Sequence, residues 1–529
     1  MRSGLGCALV LCGMAAIVAR SQAPGPRVVT YHSAVDGSEQ PYALYLPKHM
    51  DEGQRYPLVI GLHEEDSNHV ADLKHLFGVI GRYGETGLQA LSAFPPLRDQ
   101  DYIVACPLAR GTAGYQGIAE QDVYDVMSEV KRRYPVDEDR VYLTGASMGG
   151  GGALWMALTR PDVWAAVAIV CPATISGSEE LGGNALNLPV RLFHGELDPA
   201  VPAADSRAWQ RRFLEKGVTA DYIEFPAVRH NAWDMAYRDA SIFGWFGKFQ
   251  RDRDPSHVRF ATRLGRFNSA YWVRIDGFAP GALAAVDAVR TAAEIRVQTK
   301  DVDAFTLTTT ARTVSIDGVA VRLRAGVGLS FSKVGGRWTQ SAAPGARLPR
   351  GPIVEAVNER HIYVYGAGDE QSHRNASAAA EWSTARVHIN LTLPVKSDAE
   401  VTDDDIASAS LVLFGNAQTN RLIARFAAQL PMALNLGAAD YGLLFVAPIG
   451  RHYALVSSGL PWWTGADEVH RGGFRFAPEQ YRLLSTFGDY ILFKGGLSKV
   501  LAEGRFDRVG KVPPEAKSKL EAAGTVTVK

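Results

Sequence analysis

Cysteine is scarce, with four in 529 residues, and two of these, Cys7 and Cys12, fall in the first dozen. Cys106 and Cys171 remain, each closing an apolar run. The strands they end are not neighbours in the usual order of a parallel sheet, so two buried thiols are expected rather than a bridge. Net charge is missing too, since 56 basic residues balance 56 acidic ones. No Lys/Arg cluster or basic tail stands out, which removes nucleic acid from the expected partners. The apolar run from Leu5 to Val18 is too short to span a bilayer, and no stable membrane anchor is expected. The 13 histidines are scattered without metal-ligand spacing, so no metal site and no cofactor are expected. The glycine-ended runs 362–366 and 411–415 lack both G-x-G-x-x-G and G-x-x-x-x-G-K-[ST], which argues against phosphate binding.

A chain of this length with 47% hydrophobic and 21% charged residues is ordinary globular protein, enough for several domains. Residues 1–23 read as a secretory signal. Arg2 supplies the positive start, Leu5 to Val18 the apolar segment, and Ala19-Arg20-Ser21 or Ser21-Gln22-Ala23 the small-residue cleavage site. Cys12 sits mid-run rather than at its end, unlike a lipoprotein signal. A secreted or periplasmic location follows.

From residue 24 to about 255 the pattern is α/β. A hairpin near 28–48 precedes strands near 57–62, 102–106, 140–144, 165–171, 189–194 and 220–225, with a crossover helix from Asp122 to Arg133. The polar, proline-broken Arg251-Asp252-Arg253-Asp254-Pro255 marks a boundary. Residues 256–345 are β-rich, with antiparallel strands expected at 295–299, 305–309 and 314–319 and an Asp317-Gly318 turn. Residues 346–514 read as a mixed α/β accessory domain, with a helix from Asn420 to Leu430. Residues 515–529 read as a flexible tail. The pair Trp462-Trp463 is either a stacking platform or packed aromatic core.

The most informative stretch is Val141-Tyr142-Leu143-Thr144-Gly145-Ala146-Ser147-Met148-Gly149-Gly150, followed by helix-like Ala153 to Leu158. A buried strand that stops at G-x-S-x-G before a helix is the sequence form of a nucleophile elbow, with Ser147 at its tip. A serine hydroxyl needs a base, and the base an orienting acid. Both follow in order. Asp198 lies in the loop after the strand Pro189–His194, and the prolines of Asp198-Pro199-Ala200-Val201-Pro202 restrict the backbone beside it. Glu196 is the rival acid in the same loop. His230 follows the strand Ala220–Phe225 and is the candidate base, while Asp234 is too near it to orient it. His194 reads as a packed strand-end histidine.

An oxyanion hole needs two donors. The N–H of Met148 is one candidate. The other comes from the loop His63-Glu64-Glu65-Asp66-Ser67, from the backbone of Glu64 or Glu65. Carboxylates facing that hole would disfavour anionic substrates, whereas carboxylates in solvent would not. His63 and Tyr115 are candidate substrate contacts, Tyr115 being equally readable as a surface-loop residue.

On these motifs residues 55–250 resemble a prolyl-oligopeptidase-type catalytic domain of the α/β-hydrolase superfamily. They are also similar to secreted feruloyl-esterase and polyhydroxybutyrate-depolymerase-like enzymes. The resemblance rests on Arg133-Tyr134-Pro135-Val136-Asp137, on the run from Arg140 to Gly150, on His194-Gly195-Glu196-Leu197-Asp198-Pro199-Ala200-Val201-Pro202, and on His230-Asn231-Ala232-Trp233. There is no room for a propeller before residue 55. Leu62-His63-Glu64 also resembles dienelactone-hydrolase-like proteins, whose nucleophile is cysteine rather than serine. The resemblance implies a mostly parallel sheet with flanking helices and a Ser147–His230–Asp198 serine hydrolase without cofactors. Its substrate is a small-molecule or polymer-borne ester, or, as alternatives, a peptide, or a ligand merely bound on a hydrolase scaffold.

Overall fold

The computed structural model describes residues 25–529 except 83, 343–350, 383–388, 474–475 and 523. The signal expected at 1–23 and the boundary expected near 345 lie outside the described residues.

Eight strands form the first sheet: β1 Gly25–His32, β2 Glu39–Leu46, β3 Tyr56–Leu62, β4 Ile103–Pro107, β5 Val136–Ala146, β6 Ala166–Val170, β7 Val190–Gly195 and β8 Ala220–Phe225. Their spatial order is β1-β2-β4-β3-β5-β6-β7-β8. Only β2 runs against the others, so the sheet is mostly parallel, with helices on both faces. Burial on both faces explains why β3, β4 and β6 are apolar throughout instead of alternating. The pleat still divides them. Leu58, Ile60 and Leu62 enter one core, while Val59 enters the other.

Helices α1 His69–Leu76, α2 Gly87–Ser92, α3 Ile118–Arg133, α4 Met148–Thr159 and α5 Ala203–Glu215 flank the sheet. The crossover helix α3 begins four residues before the expected Asp122. Its N-cap is Gly117, held at φ 61 with Asn358 lying where a Cβ would stand. Cys106 and Cys171 are both free and buried, as expected.

The β-rich stretch that begins at His257 makes two five-stranded sheets around one core that includes Phe260, Ile275, Val286, Val297, Phe305 and Phe331. Asp317 and Gly318 do turn a hairpin, both at positive φ, between Thr313–Ile316 and Val319–Val321. Two details differ from expectation. The middle strand is Val302–Leu307, and Thr313–Ile316 pairs with Glu294–Lys300 in parallel.

The C-terminal part is a mixed seven-stranded sheet that includes His361–Tyr365, Ser410–Phe414 and Tyr441–Ile449. The expected helix from Asn420 shortens to Arg421–Phe426. Trp462 is fully buried, its Nε1 donating to the Gln480 carbonyl at 2.6 Å, so this tryptophan is core and not a platform. The tail expected to be flexible from 515 is folded instead. Helix Pro514–Ala522 buries Leu520, and Val526–Val528 pairs antiparallel with Met432–Leu434. The alternating Val526 and Val528 supply enough apolar surface to hold a short strand against a distant one.

Candidate active site

Strand β5 delivers Ser147 into a turn at φ 52, ψ −111, a conformation costly for any residue but glycine. The turn is held from both sides. The Ser147 N–H donates to the Val170 carbonyl at 3.0 Å, and its own carbonyl accepts from Gly151 and Ala173. The run Gly149-Gly150-Gly151-Gly152 has a steric reason. A Cβ on Gly149 would strike the Leu62 carbonyl, and one on Gly151 the Ala173 carbonyl. Two backbone segments, 62–63 and 170–173, therefore close on the first turn of α4, and no side chain fits between them.

Ser147 Oγ lies 2.9 Å from His230 Nε2, and His230 Nδ1 lies 2.7 Å from Asp198 Oδ2. Asp198 Oδ1 accepts the N–H groups of Ala200 at 2.8 Å and Val201 at 2.9 Å, which aims the other oxygen at His230. Burial pushes the Asp198 carboxyl up. The Val201 N–H, the His230 imidazole and the Ala200 N–H outweigh it and hold the group below the usual carboxylate range. Glu196 faces elsewhere, its Oε2 accepting the Ala227 N–H. Asp234 accepts from Asn231 Nδ2.

His194 is fully buried but does more than fill space. Its Nδ1 meets Ser206 Oγ at 2.7 Å, and its Nε2 lies 3.0 Å from the Val201 carbonyl and 3.2 Å from Asp198 Oδ2. Burial keeps this imidazole below its ordinary value despite the carboxylate beside it. The sequence leads to a packed strand-end histidine; its contact with the acid of the Ser–His–Asp file is invisible in spacing alone.

Met148 heads α4, so its N–H has no carbonyl behind it in the helix and is available at the turn. The facing loop 63–67 carries Glu64. Here one expectation fails. His63 is 0% exposed and touches no cleft, because its Nδ1 is 2.8 Å from the Glu64 carbonyl and its Nε2 2.9 Å from the Leu108 carbonyl. It braces the loop from behind and is not a substrate contact. Tyr115 is not a surface residue either. It is 1% exposed with its hydroxyl donating to the His63 carbonyl at 3.1 Å, so only its ring is left to line space.

A cleft of about 460 Å³ opens before Ser147 and His230. Glu64, Glu65 and Asp66 are among the residues that line it, and the Glu64 carboxylate is turned to His75. Trp233 stands edge-on to His230 at 5.6 Å and stacks on His75 at 6.2 Å. His75 Nδ1 is 3.5 Å from Glu64. Phe476, from the C-terminal part, closes one side. No motif announced it.

Cys171, Asp198 and His230 offer atoms within 4.8 Å of one another. Burial raises the Cys171 thiol well above its ordinary value and so keeps it protonated, while its Sγ is 3.4 Å from the His230 carbonyl. Asp198 and His230 are already joined to each other and to Ser147, and Cys171 packs behind them.

A mostly parallel sheet, a strained serine at its carboxyl edge and a histidine joined to a carboxylate define an α/β hydrolase. Comparison narrows the type. Residues 33–221 match the family described as "Putative esterase". "Probable feruloyl esterase C" of Aspergillus niger is 28% identical over 203 residues, 38% of this chain and 69% of that protein. "Cutinase 1" of Thermobifida cellulosilytica is 25% identical over 130 residues, 24% of this chain and 47% of the relative. A solved ferulic acid esterase from Anaeromyces mucronatus aligns with 43% of this chain and 91% of its own at 18% identity, TM-score 0.33. This region is an esterase-type α/β-hydrolase domain, and its class is that of serine hydrolases acting on carboxylic esters. Among the described residues no helix is long and apolar enough to cross a membrane.

Proposed function

We propose that the protein is an exported esterase in which Ser147 is the nucleophile, His230 the general base and acid, and Asp198 the group that orients His230. The observation that carries this reading is the unbroken file from Ser147 Oγ through His230 at 2.9 Å to Asp198 at 2.7 Å, set on a strained elbow. Ser147 Oγ attacks the ester carbonyl carbon while its proton passes to His230 Nε2. The carbonyl oxygen becomes an oxyanion beside the Met148 N–H, with a backbone N–H at Glu64 as the second donor. The carbon–oxygen bond then breaks, and His230 gives its proton to the departing alcohol. Water, deprotonated by His230, cleaves the acyl–Ser147 ester and releases the acid. Export rests on the signal-like residues 1–23 alone.

The test is labelling with a fluorophosphonate probe, peptide mapping of the adduct, and turnover on matched esters and amides that share one acyl group. Feruloyl esters head the panel because feruloyl esterases are among the relatives. Labelling at Ser147 with ester turnover well above amide turnover is the expected result. Amide turnover equal to ester turnover would make the protein a peptidase, and absence of both labelling and turnover would make it a binding protein.

A further inference from the structure

The space around Ser147 is double. Besides the cleft of about 460 Å³, a second cavity of about 540 Å³ runs between the hydrolase domain and the C-terminal part. Ser147 and His230 line the first, Met148 and Tyr115 line the second, and Ala173 and Phe476 line both. Each volume is in the range that holds a small organic group. Phe476 stands over the loop of Gly114, where an added Cβ would lie 3.5 Å from its ring.

The two spaces differ in chemistry. The first carries Glu64, Glu65, Asp66, Glu85 and Asp234 against His75 and Arg82. The second, among its described lining residues, carries no charged side chain. Its walls are uncharged but mixed: Ala113, Met148, Ile175 and the rings of Tyr115 and Phe476 stand beside Gln116, Thr174 and Ser176, with hydroxyls from Ser485 and Thr486 of the C-terminal part.

Resting on the reading of Ser147, His230 and Asp198 given above, we propose that Phe476 is a specificity-determining residue by which the C-terminal part walls an acyl-binding compartment, selecting esters of bulky, uncharged acids. The assignment of sides follows from the proton. His230 must reach the leaving oxygen to protonate it, so the alcohol lies in the cleft that His230 lines. With the oxyanion at Met148 N–H, the remaining substituent of the carbonyl carbon points away from His230, past Met148, into the second cavity. A bulky acyl group there packs against Phe476 and Ile175 and gains by that burial, whereas a carboxylate would be desolvated with no counter-charge among the described lining residues. The polar, acid-rich alcohol side has no such bias toward apolar groups. The C-terminal part thereby enters the binding site without supplying any member of the catalytic file.

The experiment uses the full chain and p-nitrophenyl esters, which hold the alcohol constant and vary only the acid: acetate, 3-phenylpropionate, and the half-ester of glutaric acid. Wild-type protein should prefer phenylpropionate to acetate in kcat/KM and discriminate against glutarate. Phe476→Ala should lower the phenylpropionate-to-acetate ratio by about 10- to 100-fold through lost burial of the acyl group. Phe476→Leu, which keeps apolar bulk, should fall between, and thermal melting of each variant checks that the fold is kept. A ratio unchanged in Phe476→Ala, or wild-type turnover of the glutarate half-ester equal to that of phenylpropionate, overturns the proposal. Failure of the underlying reading looks different: wild-type protein would then hydrolyse none of the esters and take no fluorophosphonate at Ser147.

Discussion

Replacing Glu120 with glutamine should flatten the dependence of stability on pH. Glu120 is 1% exposed on α3, and its Oε1 accepts Trp155 Nε1 at 3.1 Å. Its other oxygen is 3.4 Å from Arg266 Nη2, while Arg266 Nε is 3.6 Å from Glu355, a second buried carboxyl. One guanidinium thus serves two carboxylates, and the three residues come from the hydrolase domain, the β-rich stretch and the C-terminal part. Burial raises Glu120 from 4.5 to about 7 against the pull of Arg266 and Trp155. Between those values the folded chain keeps a proton that the unfolded chain has released. The contribution to stability is therefore complete below the unfolded value of 4.5 and lost as pH rises through about 7. A displacement of that size corresponds to about 3 kcal/mol, at roughly 1.4 kcal/mol per pH unit. The amide introduced by Glu120→Gln would keep an acceptor for Trp155 but cannot ionise. Urea unfolding followed by tryptophan fluorescence from about pH 5 to about pH 8, a window that opens after part of the effect is gone, should show wild-type stability falling by about 2–3 kcal/mol more than that of Glu120→Gln. Parallel curves for the two proteins would refute the reasoning, because they would mean that Glu120 is already ionised in the fold throughout the range.

Ser147→Ala should melt like wild type and lose about 10³- to 10⁶-fold in ester turnover, since attack is removed while binding and oxyanion donors stay; near-normal turnover would take Ser147 out of the mechanism. Asp198→Asn should cost about 10⁴-fold by mispositioning His230, and Glu196→Gln should cost little; steady-state kinetics giving the reverse order would move the orienting role to Glu196. Gly149→Ala drives a methyl group into the Leu62 carbonyl and should destabilise by about 1–3 kcal/mol while shifting the oxyanion loop; unchanged melting and turnover would mean that this loop does not pack on α4.

The elbow is legible in the sequence because its chemistry and its sterics demand the same residues. A strand covered on both faces must be apolar, and a turn gripped by two backbone segments must be glycine-rich, so 141–152 carries the fold and the serine together. Asp198 is legible through its prolines and through chain order. His63 is not, because a histidine after a strand can face the cleft or hide behind it. What decides here is the Leu108 carbonyl, contributed by a loop 45 residues on. The closing strand Val526–Val528 escapes the sequence for a similar reason: three residues gain strand character only from a partner at Met432–Leu434. Phe476 belongs to the accessory part and sits in no motif, and only the packing of that part onto the hydrolase domain brings it to the cleft that Ser147 lines.

That packing also bears on whether the hydrolase domain can stand alone. Arg110 is fully buried, with two bonds to Asp122 at 2.7 and 3.1 Å and one to Asp36 at 2.7 Å. A further bond runs at 3.2 Å to the carbonyl of Asn390, which also accepts from Gln40 Nε2 at 3.3 Å. The C-terminal part thus completes a charged network whose other members lie before residue 125. Its apolar residues Ile353, Ala356, Tyr481 and Leu484 share one core with Leu62, Tyr115 and Trp155. Cutting the chain near 255 would expose that core face and admit water to Arg110 and its carboxylates, so an inactive or aggregated N-terminal fragment would say nothing about where the chemistry lies. The residues proposed for catalysis all precede the cut, yet the wall opposite Met148 and the seal over Arg110 come after it. A division of labour between the two halves is therefore to be read from point changes in the intact chain, in which Phe476 varies while the covering of Arg110 is left whole.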